Sequence, residues 1–190
     1  MWITFSLLQE KVYVVLMPSH IYIDESVRAT YLIVMILIDD KKLDKTRKSI
    51  RYFARKNRKN LHMFHATHGF KRKVLKEVMS YDLEIVIIED LKFRFRKSLS
   101  RQICLRSGFE YISKFDIDRI VLDRSNSQEK DLITYQKSSR KFPTLPENLH
   151  HIASRQEPLL WLPDIFAWSY GAGGIWRQSI DEKISFIKRV

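Results

Sequence analysis

Eight uninterrupted apolar residues, Tyr31 to Ile38, constrain this chain more than any other stretch. The run is far too short to cross a bilayer as a helix, and its composition suits a buried strand. A second strand, residues 20–26, lies a few residues upstream, apolar at Ile21 and Ile23 and ending in Asp24, Glu25 and Ser26. Two strands so close together predict an antiparallel hairpin. Near the middle of a sheet, charges such as Asp24 and Glu25 are costly unless they are paired or bind a metal.

The rest of the chain alternates helical and strand patterns. A basic helix over residues 45–59, capped by Asp44 or Thr46, carries a narrow stripe of Ile50, Phe53 and Ala54. Residues 61–66 read as extended, and residues 67–80 as a helix with Phe70, Val74, Val78 and Met79 inward. A third strand spans 83–90 and again ends in carboxylates, Glu89 and Asp90. After it, Lys92 to Lys97 alternate base and aromatic before a helix over 97–114. A fourth strand at 117–122 precedes Asp123 and Arg124, then a helix near 128–140, an irregular loop and an amphipathic helix over 157–168. That helix ends at Gly171-Ala172-Gly173-Gly174, where glycine suits a C-cap. The last segment, 181–189, is expected to be helical. Strands that open antiparallel and then alternate with helices imply an α/β fold, a mixed sheet flanked by helices.

With 190 residues the chain is expected to form one domain, residues 18–190. Residues 1–17 would be an N-terminal extension, upstream of a start at Met17, or would add an edge strand at 12–16. The apolar beginning has no basic leader and is interrupted by Gln9, Glu10 and Lys11, which argues against a signal peptide. A net charge of +12 favours anionic partners, nucleic acid before membrane. The lone cysteine, Cys104, excludes an internal disulfide and fits a cytoplasmic protein.

In open α/β sheets, function gathers at strand ends. Acids stand at three of them, Asp24-Glu25, Glu89-Asp90 and Asp123, and Asp164 sits among apolar residues of a late helix. Hard cations such as Mg²⁺ or Mn²⁺ prefer oxygen donors, and paired ions support phosphodiester cleavage. The strand Tyr22-Ile23-Asp24-Glu25-Ser26, the strand ending in Asp123, and Leu162-Pro163-Asp164-Ile165-Phe166-Ala167 together resemble the bacterial domain-of-unknown-function family 3800. That family is similar to the ribonuclease H-like superfamily of nucleases. The resemblance spans most of residues 18–176 in element order. It implies Asp24, Asp123 and Asp164 as catalytic metal ligands, with Glu25 as an additional ligand or a supporting group. The chain carries Val27 where the family commonly has glycine, and Pro163 precedes the helical Asp.

Plainer readings stand beside these. Asp24 and Glu25 could be turn acids, Asp123 could pair locally with Arg124, and Glu89 and Asp90 could be solvated, or Glu89 could join the cleft. His62, His65 and His68 are awkwardly spaced for zinc on an extended segment, and His62 better suits the acidic cleft. Gly171-Ala-Gly-Gly lacks the lysine and hydroxyl of a phosphate loop. Lys92, Arg94, Arg96 and Arg124 are candidate nucleic-acid contacts, with Phe93 or Phe95 stacking on bases or facing the core. The expected function is a metal-dependent nuclease. The alternative is a non-catalytic module that binds nucleic acid or protein, and a homodimer is compatible with either.

Overall fold

A computed structural model describes residues 20–57, 61, 63–92 and 96–190. The 1–17 segment, His62 and Arg94 therefore lie outside the described residues, as do Phe93 and Phe95. The hairpin is β1 (His20–Val27) and β2 (Tyr31–Ile38), and all eight residues of β2 are buried. Helix α1 (Asp40–Lys56) follows at once, its first turn held by Asp39, whose side chain accepts from Lys41 N at 2.8 Å. The cap thus comes five residues earlier than Asp44. Thr46 instead joins Leu43, Ile50 and Ala54 on the buried stripe, a spacing of three and four.

Residues 63–66 form a turn rather than an extended link, with Ala66 N donating to Met63 O at 3.3 Å. Helix α2 (His68–Val78) is capped by Thr67, and β3 (Glu84–Asp90) pairs antiparallel with β2. Helix α3 (Lys97–Ile112) lies directly on the sheet: a Cβ at Gly108 would stand 2.0 Å from Met35 Cε of β2. Then come β4 (Arg119–Asp123) and α4 (Gln128–Lys141).

Two elements depart from the sequence expectation. The irregular loop contains a short edge strand, β5 (Leu149–Ile152), parallel to β4. Its polar His150 and His151 disguise it, because an edge strand is only half covered. The final segment is strand β6 (Ile184–Arg189), not a helix, and runs parallel to β3. Ile184, Phe186 and Lys188 are partly buried and alternate with exposed Ser185, Ile187 and Arg189, a period of two. Between them, the 3₁₀ turn Pro158–Leu160 leads into α5 (Trp161–Ala172), and α6 (Gly174–Gln178) follows a Gly173 with φ of 69°.

The six strands form one mixed sheet in the order β5-β4-β1-β2-β3-β6. Period-two alternation divides its side chains between two cores. Tyr22, Val34, Ile36, Ile87 and Val121 pack with α1, α2 and α5 on one face. Ile21, Ile23, Ile33, Met35, Ile88 and Leu122 pack with α3 and α4 on the other. Among the described residues no helix is long and apolar enough to cross a membrane.

Candidate functional site

The sheet order makes β1 and β4 parallel neighbours, with Ile23 opposite Leu122. Continuing that register sets Asp24 beside Asp123, both on the face covered by α5. Apolar residues fix this placement, since Tyr22 and Val121 point into the same core two positions earlier. Asp164 arrives from above, in the first turn of α5. The entry to that helix is pinned by Arg47 of α1, whose Nε and Nη2 donate to Glu157 Oε1 and Oε2, each at 3.1 Å. Arg47 also reaches the Tyr22 hydroxyl at 3.4 Å, tying α1, the turn before α5 and β1 together.

The three aspartates line one cleft of about 550 Å³, together with Leu61, Ser154, Arg155, Leu160 and Trp161. Asp24 Oδ1 accepts from Glu25 N at 2.7 Å. Asp123 Oδ1 accepts from Arg124 N at 2.8 Å and from Ser154 N at 2.9 Å, so the end of β5 orients this carboxylate. Burial, and after it the Asp164 and Asp123 carboxylates, push Asp24 well above the ordinary carboxylate range, with Arg101 pulling the other way. Like charges held in low dielectric disfavour ionisation, and a bound cation relieves that cost.

Glu25 is not part of this group. The strand's alternation sends it to the opposite face, where it accepts from the Tyr31 hydroxyl and from Arg101 Nη1. Arg101 of α3 also makes a two-pronged contact with Asp131 of α4, Nε to Oδ1 at 2.7 Å and Nη2 to Oδ2 at 2.9 Å. His151 Nε2 of β5 lies 3.2 Å from the same Asp131 Oδ2. Burial raises the pKa of Asp131, but the His151 and Arg101 hydrogen bonds outweigh it and leave the carboxyl below its usual range. Glu25 therefore belongs to a network paired through Arg101.

Glu89 is also away from the cleft. It is buried near the β3 end and accepts from Thr30 Oγ1 at 3.0 Å, the Tyr170 hydroxyl at 3.5 Å and Arg189 Nε at 3.4 Å. Lys92 and Arg96 are exposed in the connection to α3 and do not line the cleft, whereas Arg124 is exposed directly beside Asp123. Compared with known proteins, the chain matches no family model and no curated protein.

Arg155 and Trp161 are the residues sequence reasoning missed. Arg155 is exposed and Trp161 half-buried, so the cleft joins a cation and an aromatic face to its carboxylates. The signal for Arg155 was hidden with β5, which it follows by three residues. Among the described residues, no group of three or more His, Cys, Asp or Glu side chains closes around a common point to form a ready metal cage. The donor chemistry nonetheless suits Mg²⁺ or Mn²⁺, which are held through one or two carboxylates and keep several waters.

Proposed function

We propose that the protein is a metal-dependent nuclease of the ribonuclease H-like kind, acting on DNA or RNA in the cytoplasm. One observation carries the reading: Asp24, Asp123 and Asp164 line one cleft from β1, β4 and α5, where burial first and the other two aspartates after it raise the pKa of Asp24.

Asp24 and Asp123 would hold Mg²⁺ or Mn²⁺, with Asp164 completing the donor set. Once bound, the metal would lower the pKa of a water and polarise the scissile phosphate. The chain's own residues supply the remainder. The Arg155 guanidinium matches a phosphodiester oxygen and would hold the backbone at the rim. Trp161 offers a face on which a base can stack, a contact indifferent to sequence. Glu25 N and Ser154 N fix the orientation of the Asp24 and Asp123 carboxylates. Arg124, exposed at the end of β4, adds a further phosphate contact, and the net charge of +12 draws the polyanion in.

The test is incubation of the purified protein with labelled single- and double-stranded DNA, RNA and hybrid, in Mg²⁺, Mn²⁺ or EDTA. Metal-dependent cleavage abolished by both Asp24→Asn and Asp164→Asn is the expected result. Binding without cleavage, unaffected by either change, would leave a non-catalytic nucleic-acid-binding module.

A further inference from the structure

A second cavity lies on the other side of the sheet, away from the carboxylate cleft. It is bounded by α3, α4 and β6 and has a volume of about 290 Å³, at the lower end for small-molecule sites. Its floor is apolar, formed by half-buried Ile103, Phe142 and Val190. Its walls are cationic: Arg106, Lys137, Lys141 and Lys188 line it, and among the described side chains that line it only Glu110 carries a carboxylate. Glu110 is already engaged by Lys188 Nζ at 3.1 Å. Among the described residues, no carboxylate pairs with Arg106, Lys137 or Lys141, so net positive charge is left facing the cavity.

The second observation is polar and buried. Ser107 lines the same cavity, its residue only 8% exposed, and its Oγ has no hydrogen-bond partner in the structure. A helical serine commonly satisfies itself on the carbonyl four residues back, as Ser138 does on Thr134 across the cavity at 3.0 Å. An unsatisfied buried hydroxyl is costly unless a ligand or a water completes it.

We propose that this cavity binds a small amphiphilic anion: an apolar body on Ile103 and Phe142, and a carboxylate or phosphate-ester head between Arg106 and Lys137. The Ser107 hydroxyl, buried just beneath the cavity surface, donates to the head once its side chain rotates towards the cavity. Lys141 stands 5.1 Å from the centre of the Phe142 ring and closes the cationic rim over the apolar floor. The pairing of head and body is what separates this site from a merely basic surface, which would take inorganic phosphate equally well. It does not depend on the nuclease reading.

Isothermal titration calorimetry on the full chain tests it with 2-naphthoate and 2-naphthyl phosphate as probes. Inorganic phosphate and 2-naphthalenemethanol serve as head-only and body-only controls. Saturable one-to-one binding of either probe near ~0.1 mM is expected, with both controls at least about tenfold weaker. Which probe binds tighter tells whether the head is a carboxylate or a phosphate ester. The Arg106→Gln/Lys137→Gln protein should lose about tenfold or more, and Ser107→Ala several-fold, while the charge-matched Lys45→Gln/Lys48→Gln protein keeps full affinity. Circular dichroism and melting confirm that each variant is folded. The absence of saturable binding by both probes would overturn the proposal. So would equal affinity in the Arg106/Lys137 and Lys45/Lys48 variants, or displacement of the probe by a short single-stranded oligonucleotide.

Discussion

Asp24 and Glu25 are adjacent in sequence and opposite in circumstance. Glu25 faces α3, where Arg101 serves both it and Asp131, and His151 serves Asp131 from a second side. Asp24 faces α5, where its neighbours in the cleft are two further carboxylates. Both faces meet the same requirement, that charge near the middle of a sheet be compensated. One face meets it with Arg101, a cation of the chain itself. The other gathers three carboxylates around one cleft, oxygen donors of the kind that hard divalent cations prefer.

If the difference is functional, the largest effect comes from the carboxylate cleft. Asp24→Asn should lower metal-dependent cleavage about 10³-fold, near 4 kcal/mol of transition-state stabilisation, without unfolding the protein. Gel assays of initial rates beside a melting curve check both halves. A rate within tenfold of the parent would dissolve the comparison.

The compensated side predicts the reverse, a large loss of stability. Arg101→Met strands Asp131, which is fully buried, and Glu25 together, and should cost about 3–5 kcal/mol in urea denaturation. Arg101→Met with Asp131→Leu should recover part of that loss, because the buried charge leaves with its partner. If Arg101→Met proves as mild as a surface substitution, the network is not what compensates this face.

Trp161→Ala separates binding from chemistry within the cleft. It should weaken single-stranded nucleic acid by about 1–3 kcal/mol, measured by fluorescence anisotropy in EDTA, where cleavage cannot interfere. Loss of cleavage with unchanged binding would move the strand elsewhere on the basic surface.

The legible part of this fold was the part written in apolar runs. The hairpin and β3 stand out because the runs stop abruptly at charged residues, and the α/β class follows from their alternation with helices. β6 did not stand out, because Ile184 and Ile187 are three apart and so fit a helix as well as a strand. β5 escaped because its exposed edge tolerates two histidines. Grouping Glu25 with Asp24 overlooked a rule the sequence does carry, that successive strand residues face opposite ways. What the sequence does not carry is the partner: Arg101 and Asp131 are 30 positions apart and Arg47 and Glu157 are 110 apart. Such pairings are set by helix packing, not by any local pattern.

The smallest predicted effect bears most directly on the comparison, because stability on the two faces should depend on pH with opposite sign. The folded state raises the Asp24 pKa above its ordinary value of 3.8, so the protonated form is favoured there. Its penalty on folding is absent below about pH 3.8 and grows as pH rises through the folded value. Without metal, Asp24→Asn should therefore stabilise the protein by about 1 kcal/mol at neutral pH, and the gain should vanish in acid. Asp131 behaves inversely. Its folded pKa is lowered, so its contribution is present above 3.8 and is lost as pH falls through the folded value. Asp131→Asn should cost most at neutral pH and least in acid. Denaturation series in EDTA from pH 3 to pH 7 would show the two differences converging towards zero from opposite sides. Parallel curves would mean that both carboxylates are compensated alike, and Mg²⁺ would then stabilise the parent no more than the Asp24→Asn protein.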